Sequence, residues 1–121
     1  MAVRVGAHPG YDRFVIEFDR AVPGYSVTIQ HGARFTLSPS GKTVVLGGSN
    51  GAVVTVQHVL NWNSYSGPLT VQLGSSYLKA GRQIQNYEGV QQWGLGIAGD
   101  PALRVFTLSS PPRLVVDVTA R

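Results

Sequence analysis

Apolar and polar residues alternate along many short stretches of this chain. From Tyr25 to Gln30, for example, every second residue is apolar, which gives an extended segment one apolar and one polar side. No longer window keeps the 3.6-residue period of a helix. The alternation predicts strands at Ala2–Gly6, Arg13–Asp19, Tyr25–Gln30, Arg34–Leu37, Thr43–Leu46, Val53–Val59, Leu69–Leu73, Gln83–Glu88, Gln91–Ile97, Leu103–Leu108 and Arg113–Val118.

Turn-forming residues separate these stretches. The chain has 15 glycines and 7 prolines, and many fall in turn sequences such as HPGYD, SPSGK and GGSNG. The pattern predicts an all-β fold, an antiparallel β-sandwich of roughly ten short strands. At most one short helical turn is expected, in GSSYLKAGR at 74–82. A length of 121 residues suits a single domain over 1–121, with Met1 and Ala2 expected as a start added for expression.

One six-residue pattern occurs near both ends of the chain, as RFVIEF from residue 13 and RLVVDV from residue 113. If the two copies pair antiparallel with residue 13 opposite 117, Arg13 meets Asp117 and Arg113 meets Glu17. Parallel pairing would instead set arginine against arginine. A second possibility is that the copies lie in separate sheets related by pseudo-symmetry. In both arrangements the four charged residues are predicted to form structural ion pairs.

Composition excludes several classes of function. Charged residues make up only 13% of the chain, and no run of Lys or Arg is present, which argues against a nucleic-acid partner. The net charge of +4 supports only a mild attraction to anionic polymers or surfaces. The chain has no cysteine, so disulfides and thiolate metal sites are excluded. No apolar stretch reaches the length of a transmembrane segment.

No catalytic or metal-binding motif is found. The chain lacks Gly-x-Ser-x-Gly, His-Glu-x-x-His and a phosphate-binding loop. Glu17 and Asp117 could be suggested as a carboxylate pair for glycan hydrolysis, but each has an arginine partner that opposes proton donation. His8, His31 and His58 are widely spaced, so neither a metal nor another cofactor is expected. The protein is therefore predicted not to be an enzyme.

Aromatic and amide side chains form the best candidate binding site. The stretch NWNSYSG at 61–67 offers the rings of Trp62 and Tyr65, which could stack on the C–H face of a sugar. Neighbouring Asn61 and Asn63, together with Gln92, could form hydrogen bonds with its hydroxyl and acetamido groups.

Glycines in one predicted strand suggest a second candidate surface. In WGLGI at 93–97 the three apolar side chains are predicted to face the core. Gly94 and Gly96 would then leave bare backbone on the other side. Such a side allows close approach by another chain or by a flat ligand.

Three segments together resemble the AMIN-like domain of actinobacterial secreted proteins and lipoproteins, a relative of the AMIN domain of cell-wall amidases and secretins. The motifs are Gly-Tyr-Asp-Arg at 10–13, Pro-Gly-Tyr at 23–25, Glu-Gly at 88–89 with Trp-Gly-Leu-Gly at 93–96, and Pro-Arg-Leu-Val-Val-Asp at 112–117. The middle of the chain, 30–83, matches poorly apart from YSGP at 65–68. The three segments are VRVGAHPGYDRFVIEFDRAVPGYSV at 3–27, YEGVQQWGLGI at 87–97 and FTLSSPPRLVVDV at 106–118.

The resemblance implies an extracytoplasmic β-sandwich of the bacterial cell envelope, secreted or carried by a lipoprotein with its lipid anchor upstream. It implies a non-catalytic module that binds peptidoglycan or another cell-wall glycan, and it supplies no catalytic residues. The alternative is a protein–protein docking module that uses a sheet edge or the glycine-lined face. A hydrolase and a lipid carrier are further alternatives.

Overall fold

The computed structural model describes residues 1–57 and 65–121, and these residues form eleven β-strands. The strands are β1 (Ala2–His8), β2 (Tyr11–Glu17), β3 (Tyr25–His31), β4 (Arg34–Thr36), β5 (Thr43–Val45), β6 (Asn50–Val56), β7 (Thr70–Gln72), β8 (Leu78–Tyr87), β9 (Val90–Ile97), β10 (Pro101–Leu108) and β11 (Arg113–Ala120).

The strands form a β-sandwich with an additional two-stranded ribbon. One sheet has four strands in the order β1-β2-β11-β10, and the other has five in the order β3-β6-β9-β8-β7. Strands β4 and β5 form the ribbon. All the strand pairs named here are antiparallel. The predicted all-β sandwich is confirmed.

The helical turn predicted within 74–82 is wrong. Residues from Leu78 onward belong to β8, where Leu78 pairs with Ile97 and Ala80 pairs with Gly96 of β9. A short stretch of mixed apolar and polar residues does not distinguish a helical turn from a strand, and here pairing with β9 decides the structure.

The two copies of the repeated pattern pair with each other at the centre of the four-stranded sheet. Strands β2 and β11 are antiparallel, with Arg13 opposite Asp117 and Glu17 opposite Arg113. The predicted register is confirmed, and the alternative with the copies in separate sheets is excluded.

The main core lies between the two sheets. Trp93 is fully buried there, and its ring centroid lies 5.8 Å from that of Phe14 in the opposite sheet. Trp93, Leu95 and Ile97 all face this core, as predicted. The fully or almost fully buried residues of the core are Phe14, Ile16, Phe18, Ala52, Val54, Val56, Leu78, Trp93, Leu95, Ile97, Leu114, Val116 and Val118.

A buried carboxylate connects the two sheets. Asp12 of β2 is only 2% exposed, and its Oδ2 atom accepts hydrogen bonds from the backbone N–H groups of Tyr77 and Leu78 at 2.9 and 2.8 Å. Hydrogen bonds to an ionised acceptor are stronger than neutral ones. The start of β8 is therefore attached to the four-stranded sheet by a polar contact as well as by apolar packing.

The ribbon and its flanking residues cover the outer side of the five-stranded sheet. Phe35 of β4 is 3% exposed and forms a second small core with Ala33 and Ile84. A Cβ atom at Gly94 would lie 2.8 Å from the Phe35 ring, and one at Gly96 would lie 2.1 Å from the carbonyl oxygen of Gly47. The glycines do allow close approach of another segment, but that segment is the chain's own.

The expectation that Gly94 and Gly96 face an external ligand or partner is corrected by this packing. Both glycines are buried beneath residues of the same chain.

Candidate functional site

The outer side of the four-stranded sheet carries exposed and half-buried side chains, and we call this side the open face. Because side chains alternate along a strand, every second residue of β1, β2, β11 and β10 points to it. His8 stands opposite Tyr11, and Thr119 stands opposite Ala102. Between them and the far end of the sheet, three rows cross it: Gly6, Arg13, Asp117 and Arg104; then Arg4, Val15, Val115 and Phe106; then Ala2, Glu17, Arg113 and Leu108.

Arg13 and Asp117 form a two-pronged ion pair at the centre of the open face. The Nε atom of Arg13 donates to Oδ1 of Asp117 at 2.7 Å, and Nη2 donates to Oδ2 at 3.0 Å. The bond to Asp117 raises the pKa of Arg13 above its ordinary value, while burial opposes that shift. This predicted ion pair is confirmed.

The second predicted ion pair, between Arg113 and Glu17, is wrong although the two residues are opposite in register. The Glu17 carboxylate pairs with Arg4 at 3.0 Å, and Arg113 Nε donates to the Pro111 carbonyl at 3.1 Å. Glu17 lies between β1 and β11, so a diagonal arginine on β1 competes with the directly opposite one on β11. Diagonal neighbours in a sheet are within reach of long side chains.

Aromatic rings and guanidinium groups are interleaved on the open face. The rings of His8 and Tyr11 stack with centroids 4.9 Å apart and planes 2° apart. The Arg13 guanidinium carbon lies 5.4 Å from the Tyr11 centroid and 5.6 Å from that of Phe106. Arg104 lies 4.8 Å from the same Phe106 centroid. These distances are typical of cation–π contacts, which hold both arginines in position.

Two hollows lie on the open face, on either side of Arg13. The larger has a volume of about 350 Å³, and the smaller, beside β1, has about 250 Å³. The smaller is lined by Arg4, Gly6, His8, Arg13 and Val15, among others. The larger is lined by Tyr11, Arg13, Ala102, Leu103, Arg104 and Asp117, among others.

The open face is positively charged. Four arginines and two carboxylates lie on it, so the guanidinium groups are in excess. Both carboxylates are engaged in ion pairs with arginine. This arrangement suits binding and electrostatic attraction better than proton transfer.

The described residues of the predicted ligand set make contacts within the protein. The ring of half-buried Tyr65 packs edge-on against Trp93 with centroids 5.5 Å apart, and its hydroxyl donates to the Pro68 carbonyl. Burial raises the pKa of the Tyr65 phenol. The amide of Gln92 donates to Thr55 Oγ1 at 3.0 Å. Asn61, Trp62 and Asn63, and also His58, lie outside the described residues.

Sequence reasoning did not identify Tyr11, Arg104 and Phe106 as site residues. A signal was nevertheless available. The predicted strands Leu103–Leu108 and Arg113–Val118 are separated by a short turn and suggest a hairpin. With its register, alternation would have placed Arg104 and Phe106 on the same face as Asp117.

Metal ligands and membrane-spanning segments were also sought. Within 1–57 and 65–121, no three His, Cys, Asp or Glu side chains gather where they could hold a metal ion. The same residues contain no helix long and apolar enough to span a membrane.

Comparison with known proteins adds one match. The family model described as AMIN-like domain matches residues 1–120 of this chain. No curated protein and no solved structure matches it.

Proposed function

Because the chain belongs to the AMIN-like domain family, we propose that it is a binding module of the cell envelope that recognises peptidoglycan or another cell-wall glycan. AMIN-like domains are generally non-catalytic modules of extracytoplasmic, envelope-associated proteins. We further propose that the domain works outside the cytoplasm as part of a secreted protein or a lipoprotein.

The observation that supports glycan binding is the open face. It combines aromatic rings at Tyr11 and Phe106 with guanidinium groups at Arg13 and Arg104, around a hollow of about 350 Å³. Sugars present apolar C–H faces and polar hydroxyl groups, so a surface of rings and fixed hydrogen-bond donors complements them. Ligand sites commonly begin at about this volume.

The central experiment is co-sedimentation of the purified domain with insoluble cell-wall sacculi at low salt. We expect the domain to sediment with the sacculi and to remain in the supernatant without them. The supernatant should contain no released muropeptides, whereas a hydrolase would release them. If the folded domain stays soluble in the presence of sacculi, the glycan proposal is wrong.

Trp62→Ala tests the binding site predicted at Trp62 and its asparagine neighbours against the open face. Loss of co-sedimentation in this variant, with unchanged thermal unfolding, would assign binding to the loop sequence at 61–63. Retained co-sedimentation would favour the open face. Tyr65→Ala is less suitable, because removing a ring packed on Trp93 would also weaken the core.

A second candidate function is protein docking by strand addition at β3. This strand pairs only with β6 and lies at an edge of the five-stranded sheet. Tyr25 and Ile29 on it are 42% and 49% exposed. An extended peptide could pair with the free side of such a strand. Cross-linking in native envelopes would distinguish this function by giving one defined protein partner and no glycan.

A further inference from the structure

We propose that the hollow beside Arg104 on the open face is a subsite for a carboxylate-bearing sugar. This inference rests on the proposed glycan-binding function and names the chemical class of the sugar that the open face selects. In this arrangement Arg104 binds the carboxylate, Arg13 contributes a second set of donors, and Tyr11 provides a wall for the sugar ring.

Arg104 is exposed and has uncommitted hydrogen-bond donors. Its opposite neighbour in register is Asp117, but both oxygens of that carboxylate accept hydrogen bonds from Arg13. Among the described residues Arg104 forms no ion pair, and its guanidinium is held over the Phe106 ring at 4.8 Å. It is therefore a charged group that is held in place yet open to an external anion.

Arg13 adds further donors to the same hollow. A guanidinium has five N–H groups, and the bonds to Asp117 use only one on Nε and one on Nη2. The remaining donors belong to a side chain that Asp117 and two aromatic rings already hold in place. Binding there would cost little additional side-chain entropy.

A carboxylate suits this hollow better than a phosphate does. The planar guanidinium fork matches a carboxylate, and a monoanion needs less compensating charge than a phosphate dianion. Asp117 lines the hollow and would repel a dianion more strongly than a monoanion. The remaining lining includes the apolar Ala102 and Leu103, which can contact the C–H groups of a sugar.

The test compares two sugars that differ by one carboxylate. The domain is titrated with N-acetylmuramic acid and with N-acetylglucosamine, and binding is followed by the NMR shifts of residues on the open face. Glucuronic acid serves as a second acidic sugar with the carboxylate in another position, and inorganic phosphate serves as an anion without a sugar. We expect weak binding of both acidic sugars and weaker binding of N-acetylglucosamine.

The variant Arg104→Gln should weaken binding of the acidic sugars by about three- to tenfold and leave the response to N-acetylglucosamine unchanged. Arg34→Gln is the matched control, because it removes one exposed arginine from the ribbon, away from the open face. Both variants should unfold at the same temperature as the wild type.

The outcomes separate this inference from the glycan proposal. If Arg104→Gln and wild type bind N-acetylmuramic acid equally, the subsite is wrong even when the wild type sediments with sacculi. If phosphate binds as tightly as the acidic sugars, the carboxylate assignment is wrong. If the wild type fails to sediment while Arg104-dependent binding of acidic sugars persists, the wall assignment fails and the subsite stands.

Discussion

Asp12 and Arg13 are neighbours in sequence that point to opposite sides of β2. Asp12 turns inward and accepts two backbone hydrogen bonds at the start of β8. Arg13 turns outward and forms the ion pair with Asp117 on the open face. The Gly-Tyr-Asp-Arg motif at 10–13 therefore joins the two sheets with one side chain and builds the candidate site with the next.

Replacing Asp12 should destabilise the fold strongly. Asp12→Ala leaves the N–H groups of Tyr77 and Leu78 without their acceptor in a region closed to solvent, and we expect a loss of about 2–4 kcal/mol in the free energy of unfolding. Asp12→Asn keeps an acceptor oxygen and should lose less. Urea denaturation measures both, with exposed Asp100→Ala as the control. A loss below about 0.5 kcal/mol for Asp12→Ala would show that the contact contributes little.

Tyr65 should make the fold sensitive to alkaline pH. Burial raises the pKa of its phenol in the folded state above the ordinary value of about 10. The stability from the neutral phenol is therefore complete below about pH 10 and is lost as the pH rises through the folded-state pKa. Urea denaturation between pH 7 and pH 11 should show a steeper loss for the wild type than for Tyr65→Phe.

The control for this prediction is Tyr25→Phe, which removes an exposed phenol. It should leave the alkaline loss of stability unchanged. Parallel pH profiles for wild type and Tyr65→Phe would contradict the assignment to Tyr65.

At the scale of elements, glycines in β9 determine how the β4–β5 ribbon packs. A Cβ atom at position 96 would lie 2.1 Å from the Gly47 carbonyl oxygen and 2.9 Å from Leu46 Cβ. The backbone of residues 46–47 would have to move to accept it. Glycine at this strand position is thus a packing requirement.

Gly96→Ala should consequently destabilise the protein, by about 1–3 kcal/mol or more, because the added methyl group overpacks the contact with the ribbon. Gly24→Ala is the matched control, since a Cβ atom there would meet nothing within 4 Å. Thermal unfolding of the two variants measures the difference. Equal melting temperatures would mean that the ribbon can move away at no cost.

Alternation predicted the strands well and the surfaces poorly. It predicted a strand at each place where the structure has one, and the charges of the repeated pattern predicted the register of β2 with β11. It could not show that the polar side of β9 is also buried, because the cover comes from Phe35, far away in sequence. Gly94 and Gly96 consequently resembled an open surface. The side chain that Glu17 selects was equally hidden, since it depends on how β1 lies beside β2.

For the whole molecule, charge should contribute to attachment to the wall. The protein carries a net charge of +4, and arginines are in excess on the open face. Salt screens attraction between exposed charges, with a Debye length of about 10 Å at 0.1 M. We expect co-sedimentation with sacculi to fall as NaCl is raised from about 20 mM to about 500 mM.

An osmotically matched sucrose series is the control for this prediction, because sucrose leaves the electrostatic attraction unscreened. Co-sedimentation that does not change with NaCl would show that uncharged contacts alone hold the domain on the wall.

The ribbon over the five-stranded sheet gives the molecule a front and a back. With one broad side roofed by its own chain, a domain that adheres through the other side would lie on the murein like a tile, ribbon outward. Anything fused to it would then be presented in a set orientation, so this fold could act as an orienting device as well as a tether.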